Sequence, residues 1–590
     1  MTTTPPSAPK FAIASDPILL QVIRNALAAT ADEMGVALQR AAYSTNIKTR
    51  LDFSCAIFDR SLRLVAQSFG QPNHLGSLTH FVPGIVNTYG AERLGEGDGL
   101  LCNGGRYGGV HLNDVVLVSP VFHGSELVAF VASLAHHVDV GGSQPGSISA
   151  RSKEIYQEGV NIPPVRLLRG GRIEEDLFNL LMHNIRSPRE TGGDLRAQVA
   201  AVSVANQRLH ELIERYSWLT LRQAIDELLD YTERRAREEL RSIPPGVYEA
   251  EGFMDDDGVS DEPVRVVVKI DVREDRVIFD LSDSDSQRPC AINSTYAMTL
   301  SSCAYVLRAL MGDDIPVNEG FYRVFKVIAP EGSIVNSRPP VAIGGGWETA
   351  FRVLETNFQA LEKAIPERLA AGSKGCLCNI AFGGPTRSGE ELFVFYEAMG
   401  GGFGARATKD GIDAVQPFAQ NTENAPVEET EASYPVRVER YQLIPGSEGA
   451  GRWRGGLGLR RDYHFENPVV FSVLSDRGKF PPWGIAGGHD ARKARYVLNP
   501  ETSDEREYGS KTTVELQAGD VFSVQMGGGG GYGPPWERQP ELVLADVIAD
   551  KVSPQRAREV YGVEVAPNPW RIDIEATERQ RAQMRTAAER

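Results

Sequence analysis

Cysteine is scarce in this chain, six among 590 residues. That density excludes a disulfide framework. Only Cys376-Leu-Cys378 is closely spaced. On a strand both thiols would face one side and could hold a metal, but no second pair supports it. All six are therefore expected as free, mostly buried thiols. Long apolar runs are missing as well. No stretch approaches the ~20 residues of a membrane span, and Met1 to Lys10 lacks the apolar core of a signal peptide. Residues 1–15 are expected to form a disordered tail, and the expected location is cytoplasmic. Positive charge is in deficit, with 62 Lys and Arg against 78 Asp and Glu and a net charge of −16. Such a surface repels nucleic acid and anionic membrane. Three signatures are also absent: G-x-x-x-x-G-K-[ST], a G-x-G-x-x-G leading from a strand into a helix, and G-x-S-x-G.

What is present reads as a soluble α+β chain of several domains. Hydrophobic residues make up 42% and charged residues 24%, ordinary for a globular protein. Asp16-Pro17 opens a helix running to about Ala42, with Asp16 as its cap. Ile18, Leu19, Val22, Ile23, Ala26 and Leu27 recur at helical spacing and predict its buried face. Cys55 to Val65 reads as a hairpin. Asp114 to Phe122 and Leu127 to Leu134 are β-like runs joined by His123-Gly-Ser-Glu126. Residues 173–242 look helical, and the charge run Glu233 to Arg241 reads as a solvated face. Pro244-Pro245-Gly246 ends that stretch. Pro263 to Ile270 and Arg276 to Leu281 then predict a second hairpin. Helices are expected from Thr295 and, amphipathic, over Trp347 to Ala364.

The last third is rich in glycine, at Gly400 to Gly402, Gly455-Gly456 and Gly527 to Gly531, and is expected to be β-rich with conformations other residues avoid. Gly400 to Arg406 and Gly527 to Gly531 could each form a backbone nest for an anion. Tight turns at close chain crossings are the plainer reading. The expected division is an N-terminal α/β metal-binding region over 16–245, a central α+β domain over 246–400, a glycine-rich β region over 401–574 and a charged terminal helix over 575–590.

Histidine is the informative residue. The chain has ten, and six lie between His74 and His137. Two short patterns stand out, His111-Leu-Asn-Asp114 and His136-His137-Val-Asp139. His111 and Asp114 fall at the start of one β-like run and His136 just past the end of the next. Antiparallel pairing would bring those ends together. Two imidazoles with one or two carboxylates suit Zn²⁺, Mn²⁺ or Fe²⁺ with open coordination positions. Structural, hydrogen-bonded histidines would explain the same pattern. Tandem His136 and His137 diverge on a strand, so at most one can bind, and His74, His80 and His123 carry weaker signals.

Ten stretches, weak singly, occur together in a specific order. They are Asn46-Ile-Lys to Asp52-Phe-Ser54, Tyr107-Gly-Gly-Val-His111-Leu-Asn-Asp114, His136 to Pro145-Gly146, Glu158-Gly-Val-Asn-Ile-Pro-Pro164 and Gly193-Asp-Leu-Arg-Ala-Gln198. Asn318-Glu-Gly320, Gly400 to Arg406, Tyr434-Pro to Glu439-Arg-Tyr441, Gly451-Arg-Trp-Arg-Gly-Gly456 and Gly528 to Gly533 follow. With them the chain resembles the hydantoinase B/oxoprolinase family over nearly its whole length. The resemblance implies a divalent metal on His111, Asp114 and His136, with Asp52 as the fourth ligand. It implies a hydantoinase A-like partner, with an actin- and hexokinase-like fold, that binds ATP and Mg²⁺ and phosphorylates an amide or enol oxygen of a small-molecule substrate. The assembly would be a hetero-oligomer with two or more copies of each subunit. Two departures border the proposed metal: Gly104-Gly105-Arg106 replaces the family's Asp-Pro, and His137 replaces a common aromatic residue. His137 is expected as a pocket wall.

Asp139 and Glu158 are candidates for the general base; hydrogen bonding to the ligands is their alternative role. The implied activity is hydrolysis of a phosphorylated hydantoin, 5-oxoproline or related lactam. The alternatives are the metal-bearing subunit of an acetone- or acetophenone-type ketone carboxylase, and a non-catalytic scaffold. On this reading the purified chain alone turns over neither lactam nor hydantoin in a product assay with ATP. Activity without a second subunit would contradict the two-part scheme.

Overall fold

The computed structural model describes residues 16–68 and 70–588; the expected tail over 1–15 lies outside them. The fold is α+β, built on several separate sheets. The first sheet has seven strands: β1 (Phe53–Asp59), β2 (Leu64–Gln67), β3 (Gly99–Cys102), β4 (Asp114–His123), β5 (Glu126–His136), β6 (Val165–Arg169) and β7 (Arg172–Ile173). Their order is β2-β1-β5-β4-β3-β6-β7. Both of its faces are buried. Cys55, Ile57, Leu117 and Val131 belong to one core, Ala56, Phe58, Val116 and Phe130 to the other. That double burial explains why these strands read as unbroken apolar runs.

Helices α1 (Pro17–Ala41), α2 (Thr45–Lys48), α3 (Ser77–Tyr89), α4 (Glu175–Met182), α5 (Pro188–Tyr216) and α6 (Trp218–Leu240) complete this part. Asp16 caps α1 as expected, accepting from the Ile18 and Leu19 amides at 3.0 Å each. The buried stripe differs from the expected one. Ile18 is 76% and Val22 43% exposed, while Ile23, Leu27, Met34 and Leu38 are buried. The helix meets α5 along a stripe displaced toward its C-terminal half. Gly35 lets the Phe53 ring come within 3.1 Å of where a β-carbon would stand.

A second sheet, in the order β11-β10-β9-β8, is made of β8 (Gly246–Met254), β9 (Val264–Val272), β10 (Val277–Asp280) and β11 (Phe325–Ile328). Helices α7 (Tyr296–Ala309), α8 (Glu319–Tyr322) and α9 (Gly346–Glu362) accompany it. Its core is continuous with one face of the first sheet. The expected amphipathic character of α9 does not hold, because the helix is buried around nearly its whole girth. Its polar residues are paired internally: Arg352 reaches Asp476 at 2.8 Å and Glu355 at 3.1 Å.

The last third is β-rich. One sheet runs β13-β12-β16-β19, from β12 (Asn379–Pro385), β13 (Leu392–Ala398), β16 (Val469–Leu474) and β19 (Lys511–Leu516). The other runs β14-β15-β20-β17-β18, from β14 (Val436–Ile444), β15 (Gly458–Phe465), β17 (Arg495–Leu498), β18 (Arg506–Tyr508) and β20 (Val521–Gln525). Phe382, Phe395, Tyr463 and Phe471 share the core between them. Helix α10 (Val427–Ser433) precedes β14; α11 (Pro540–Ile548), α12 (Pro554–Tyr561), the pair β21 (Val565–Ala566) and β22 (Arg571–Ile572), and α13 (Ile574–Ala588) close the chain. Among the described residues no helix is long and apolar enough to cross a membrane.

The glycine runs serve a different purpose from the one expected. None of Gly400 to Gly402, Gly455, Gly456 or Gly527 to Gly531 has a positive φ. They lie where backbone packs on backbone. A β-carbon on Gly455 would stand 1.7 Å from the Gly529 carbonyl oxygen, and one on Gly529 2.1 Å from that of Phe403. The anion-nest reading of Gly400 to Arg406 fails as well. Its amides are already donated, for example Gly401 to Val415 O (2.9 Å), Phe403 to Ile412 O (3.0 Å) and Ala405 to Gly530 O (2.9 Å). Gly529→Ala should therefore lower stability by about 1–3 kcal/mol or more, since backbone must move to admit one methyl. Thermal or urea unfolding measures this; an unchanged midpoint would show the crossing to be loose.

Candidate metal centre

The site is built at the open end of the β4–β5 hairpin. Asp114 stands directly opposite His136 in that pairing. His111 lies one turn earlier, where the Asp114 amide donates to its carbonyl at 3.0 Å. Gly109 permits this approach, since a β-carbon there would meet the Asn103 and Gly104 carbonyls at 2.9–3.0 Å. The end of β5 is pinned from both sides. The His136 amide donates to Asp52 O (3.0 Å) and the His137 amide to Asn113 O (2.8 Å). Asn46 donates its side-chain amide to His136 O at 2.6 Å.

His111, Asp114 and His136 offer ligand atoms all within 4.8 Å of one another, and all three residues are buried. His136 Nδ1 is 3.0 Å from Asp114 Oδ1. His111 Nδ1 is 3.0 Å from Asp114 Oδ2, yet those two atoms make no hydrogen bond, and His136 Nε2 also lacks a partner. Each orphaned buried group costs about 1–3 kcal/mol if nothing satisfies it. Two imidazoles and a carboxylate with ligand atoms gathered within 4.8 Å, three of their polar atoms unpaired, match the donor set for a divalent cation. A separation of 3.0 Å also suits two ligands each ~2.1 Å from one ion at a right angle. The residues present therefore fit a metal.

The charges reinforce one another. Burial pushes the Asp114 carboxyl up, but His111 and His136 outweigh it and hold the group well below the usual carboxylate range. Burial lowers His111, whereas Asp114, Asp52 and Glu158 together raise it.

Asp52 is buried and lines the same cleft, outside the three-residue group. Asp139 is not in the cleft. It accepts from the Gly141 and Gly146 amides at 2.9 and 3.1 Å and pairs with Arg186 at 3.0 Å, so both of its oxygens are engaged. Glu158 sits behind His111 and accepts from the Ile343 and Gly344 amides at 2.9 and 2.7 Å; burial pushes its carboxyl up to about 8. His137 is not a pocket wall. Strand alternation turns it to the opposite face, where Nε2 meets Gln198 Oε1 at 3.0 Å. His74 does line the cleft, with Nδ1 3.0 Å from Ser54 Oγ. His80 instead faces Tyr296, and His123 is exposed at the hairpin turn.

Several cleft residues carry no signal in the sequence. Tyr396 stacks on His136, ring centroids 4.5 Å apart, and Trp347 stands edge-on to His111 at 6.4 Å. Leu377, Gln420 and Thr422 complete the far wall. They come from the central and last parts of the chain, so the cleft is not confined to 16–245. The space at the centre, ≈ 10 Å³, takes about one water-sized group. Asn421, between Gln420 and Thr422, donates through its side chain to Gly70 O at 2.9 Å and through its backbone amide to Gln71 Oε1 at 3.3 Å.

The chain is similar to known proteins over nearly its whole length. A family model described as Hydantoinase B/oxoprolinase matches residues 16–535. The B component of a putative D-/L-hydantoinase from Pseudomonas sp. is 34% identical, covering 95% of this chain and 97% of its own. The beta chain of the caprolactamase from Pseudomonas jessenii is 33% identical, covering 96% and 99%. The crystal structure of that ATP-dependent caprolactamase superposes with a TM-score of 0.88 at 32% identity, over 96% of this chain and 99% of the matched one. Acetone carboxylase, in its nucleotide-free structure, gives the same TM-score at 19% identity over 98% and 84%, a likeness of fold.

Purified protein should carry about one divalent ion per chain. His111→Ala and His136→Ala should each cut metal affinity on the order of 100-fold, read by elemental analysis with circular dichroism as the folding control. A metal-free wild-type protein that cannot be loaded would sink the assignment.

Proposed function

The chain belongs to the hydantoinase B/oxoprolinase family, and from that premise we propose that it is the metal-bearing B-type subunit of an ATP-dependent cyclic-amide hydrolase. The observation that carries this reading is the set of three orphaned ligand atoms in a buried cleft, in a chain 33% identical to a caprolactamase component over 96% of its length. Amide resonance makes a lactam carbonyl a poor electrophile. Phosphorylation of its oxygen by an ATP-binding partner removes that protection. When bound, a divalent cation supplies Lewis acidity and lowers the pKa of water.

The chain's own residues divide the remaining work. His111, Asp114 and His136 would hold the ion. Asp114 also fixes the setting of both imidazoles, standing against each at its Nδ1 atom. Asp139 is withdrawn from the reaction by Arg186, and Glu158 is spent on holding the Ile343–Gly344 backbone behind His111. Asp52 is then the carboxylate left to serve the cleft, as a fourth ligand or as the acceptor of a proton from water. Trp347 and Tyr396 wall the site and keep bulk water from it.

A ketone carboxylase component is the second reading, favoured only by the fold shared with acetone carboxylase. A scaffold role would leave the orphaned ligand atoms without purpose. Co-expressed with its hydantoinase A-like partner, the chain should hydrolyse a lactam or hydantoin with ATP consumption, and Asp52→Asn should lower kcat by on the order of 100-fold. The assay compares ATP with lactam against ATP, labelled bicarbonate and ketone. Label entering a carboxylated product, without lactam turnover, would replace the hydrolase by the carboxylase.

A further inference from the structure

A second cavity, ≈ 260 Å³ in volume, lies beside the metal cleft. It is framed by the end of β2, the turn after it and the C-terminal end of α7. Gln71 lines both spaces, so the two share a wall. Pro72, Leu75, Tyr305, Ala309 and Val317 give the cavity a largely apolar surface. Its volume falls just under the ~300 Å³ at which pockets begin to take drug-sized compounds, so it suits a short carbon chain.

Three polar groups interrupt that surface. Gln67 is 7% exposed. Its Nε2 donates to His74 O at 3.4 Å. A carbonyl only accepts, so Oε1 is the atom left over. Among the described residues Oε1 has no hydrogen-bond partner, which a polar atom buried this deeply ordinarily has. Arg308 is half-buried and donates to the Met311, Gly312 and Asp313 carbonyls at 3.3, 3.1 and 3.4 Å. Those bonds use three of its five N–H groups, and all of them go to neutral acceptors. Burial holds its guanidinium below the ordinary value, against the attraction of Asp313 and Asp314. Asp313 is exposed at the rim of the cavity.

A short apolar chain carrying both charges meets all three groups. Its carboxylate takes the free N–H groups of Arg308. Its ammonium donates to Gln67 Oε1 and is drawn by Asp313. A carboxylate alone leaves the buried Gln67 acceptor without a donor, and an amine alone leaves Arg308 without an anion. We propose that this cavity binds short open-chain amino acids. Hydrolysis of a lactam makes such compounds: the C–N bond breaks, the carbonyl carbon gains the hydroxyl of water and the nitrogen gains its proton. On the hydrolase reading above, on which this role rests, the cavity is a product site beside the cleft, with Gln71 between them.

The test is calorimetric titration of the full-length chain with 5-aminopentanoate, pentanoate and pentylamine. The wild type should bind 5-aminopentanoate about 10-fold or more tightly than either of the others. Arg308→Gln should weaken that binding by about 10-fold or more, with metal content and circular dichroism unchanged. Ala309 is exposed where it lines the cavity. Ala309→Trp should therefore fill the space and abolish binding without touching the core, and it decides the matter if Arg308→Gln does not fold. Pentanoate or pentylamine binding as tightly as 5-aminopentanoate, no saturable binding of any of the three, or undiminished binding in either variant would overturn the proposal. Binding that behaves as expected, in a chain whose two-subunit complex hydrolyses no lactam or hydantoin, would overturn the hydrolase reading and leave the amino-acid site standing.

Discussion

The cleft depends on one cross-strand pair, Asp114 opposite His136 in the β4–β5 ladder. Side chains on a strand alternate, so a slip of one residue would turn His136 to the other face and bring His137 forward. The register is held where it matters. Asn113 exchanges hydrogen bonds with the His137 backbone, and Asn46 and Asp52 fasten His136 from the neighbouring segment. The bulge between Val121 and Phe122 lets the two-residue connection Gly124-Ser125 close the hairpin without disturbing the far end. Tyr396, Trp347 and Leu377 are arranged around a pair already placed.

The electrostatics follow from this placement. A carboxylate buried between two imidazoles is kept ionised by them, while nearby carboxylates favour the charged form of His111. Without a cation the group would still hold orphaned nitrogen and oxygen atoms away from water. The opposite wall holds neutral polar atoms without partners, Asn73 Oδ1, Gln420 Oε1 and Thr422 Oγ1. The cleft thus makes one clear demand, for positive charge at His111, Asp114 and His136.

Much of this cluster was legible in the sequence. The paired β-like runs with a short polar link placed His111, Asp114 and His136 at one end, and Asp16-Pro17 marked the start of α1. Local pattern could not reach further. Asp139 looks like a base until Arg186, 47 residues away, occupies it. His137 was expected in the pocket because it adjoins a ligand, although alternation sends it toward Gln198 on α5. The glycine runs suggested unusual dihedrals, but their reason is close backbone contact between segments distant in sequence, invisible without the fold. Gln420 and Thr422 sit in an irregular stretch whose composition says nothing, and their importance comes only from what they face. Helix α9 misled for a related reason, since its polar stripe meets buried charges of the last third instead of solvent.

Residues that line the cleft lie far apart in the chain, from Asp52 to Thr422. Asn421 reaches back 351 residues to Gly70, while the metal ligands span only 111 to 136. During synthesis the N-terminal part emerges first and can begin to fold while the rest is still on the ribosome. The nascent chain would therefore hold its ligand cluster open to the surrounding solution until residue 422 has left the exit tunnel. Arrival of the last third then covers the cluster.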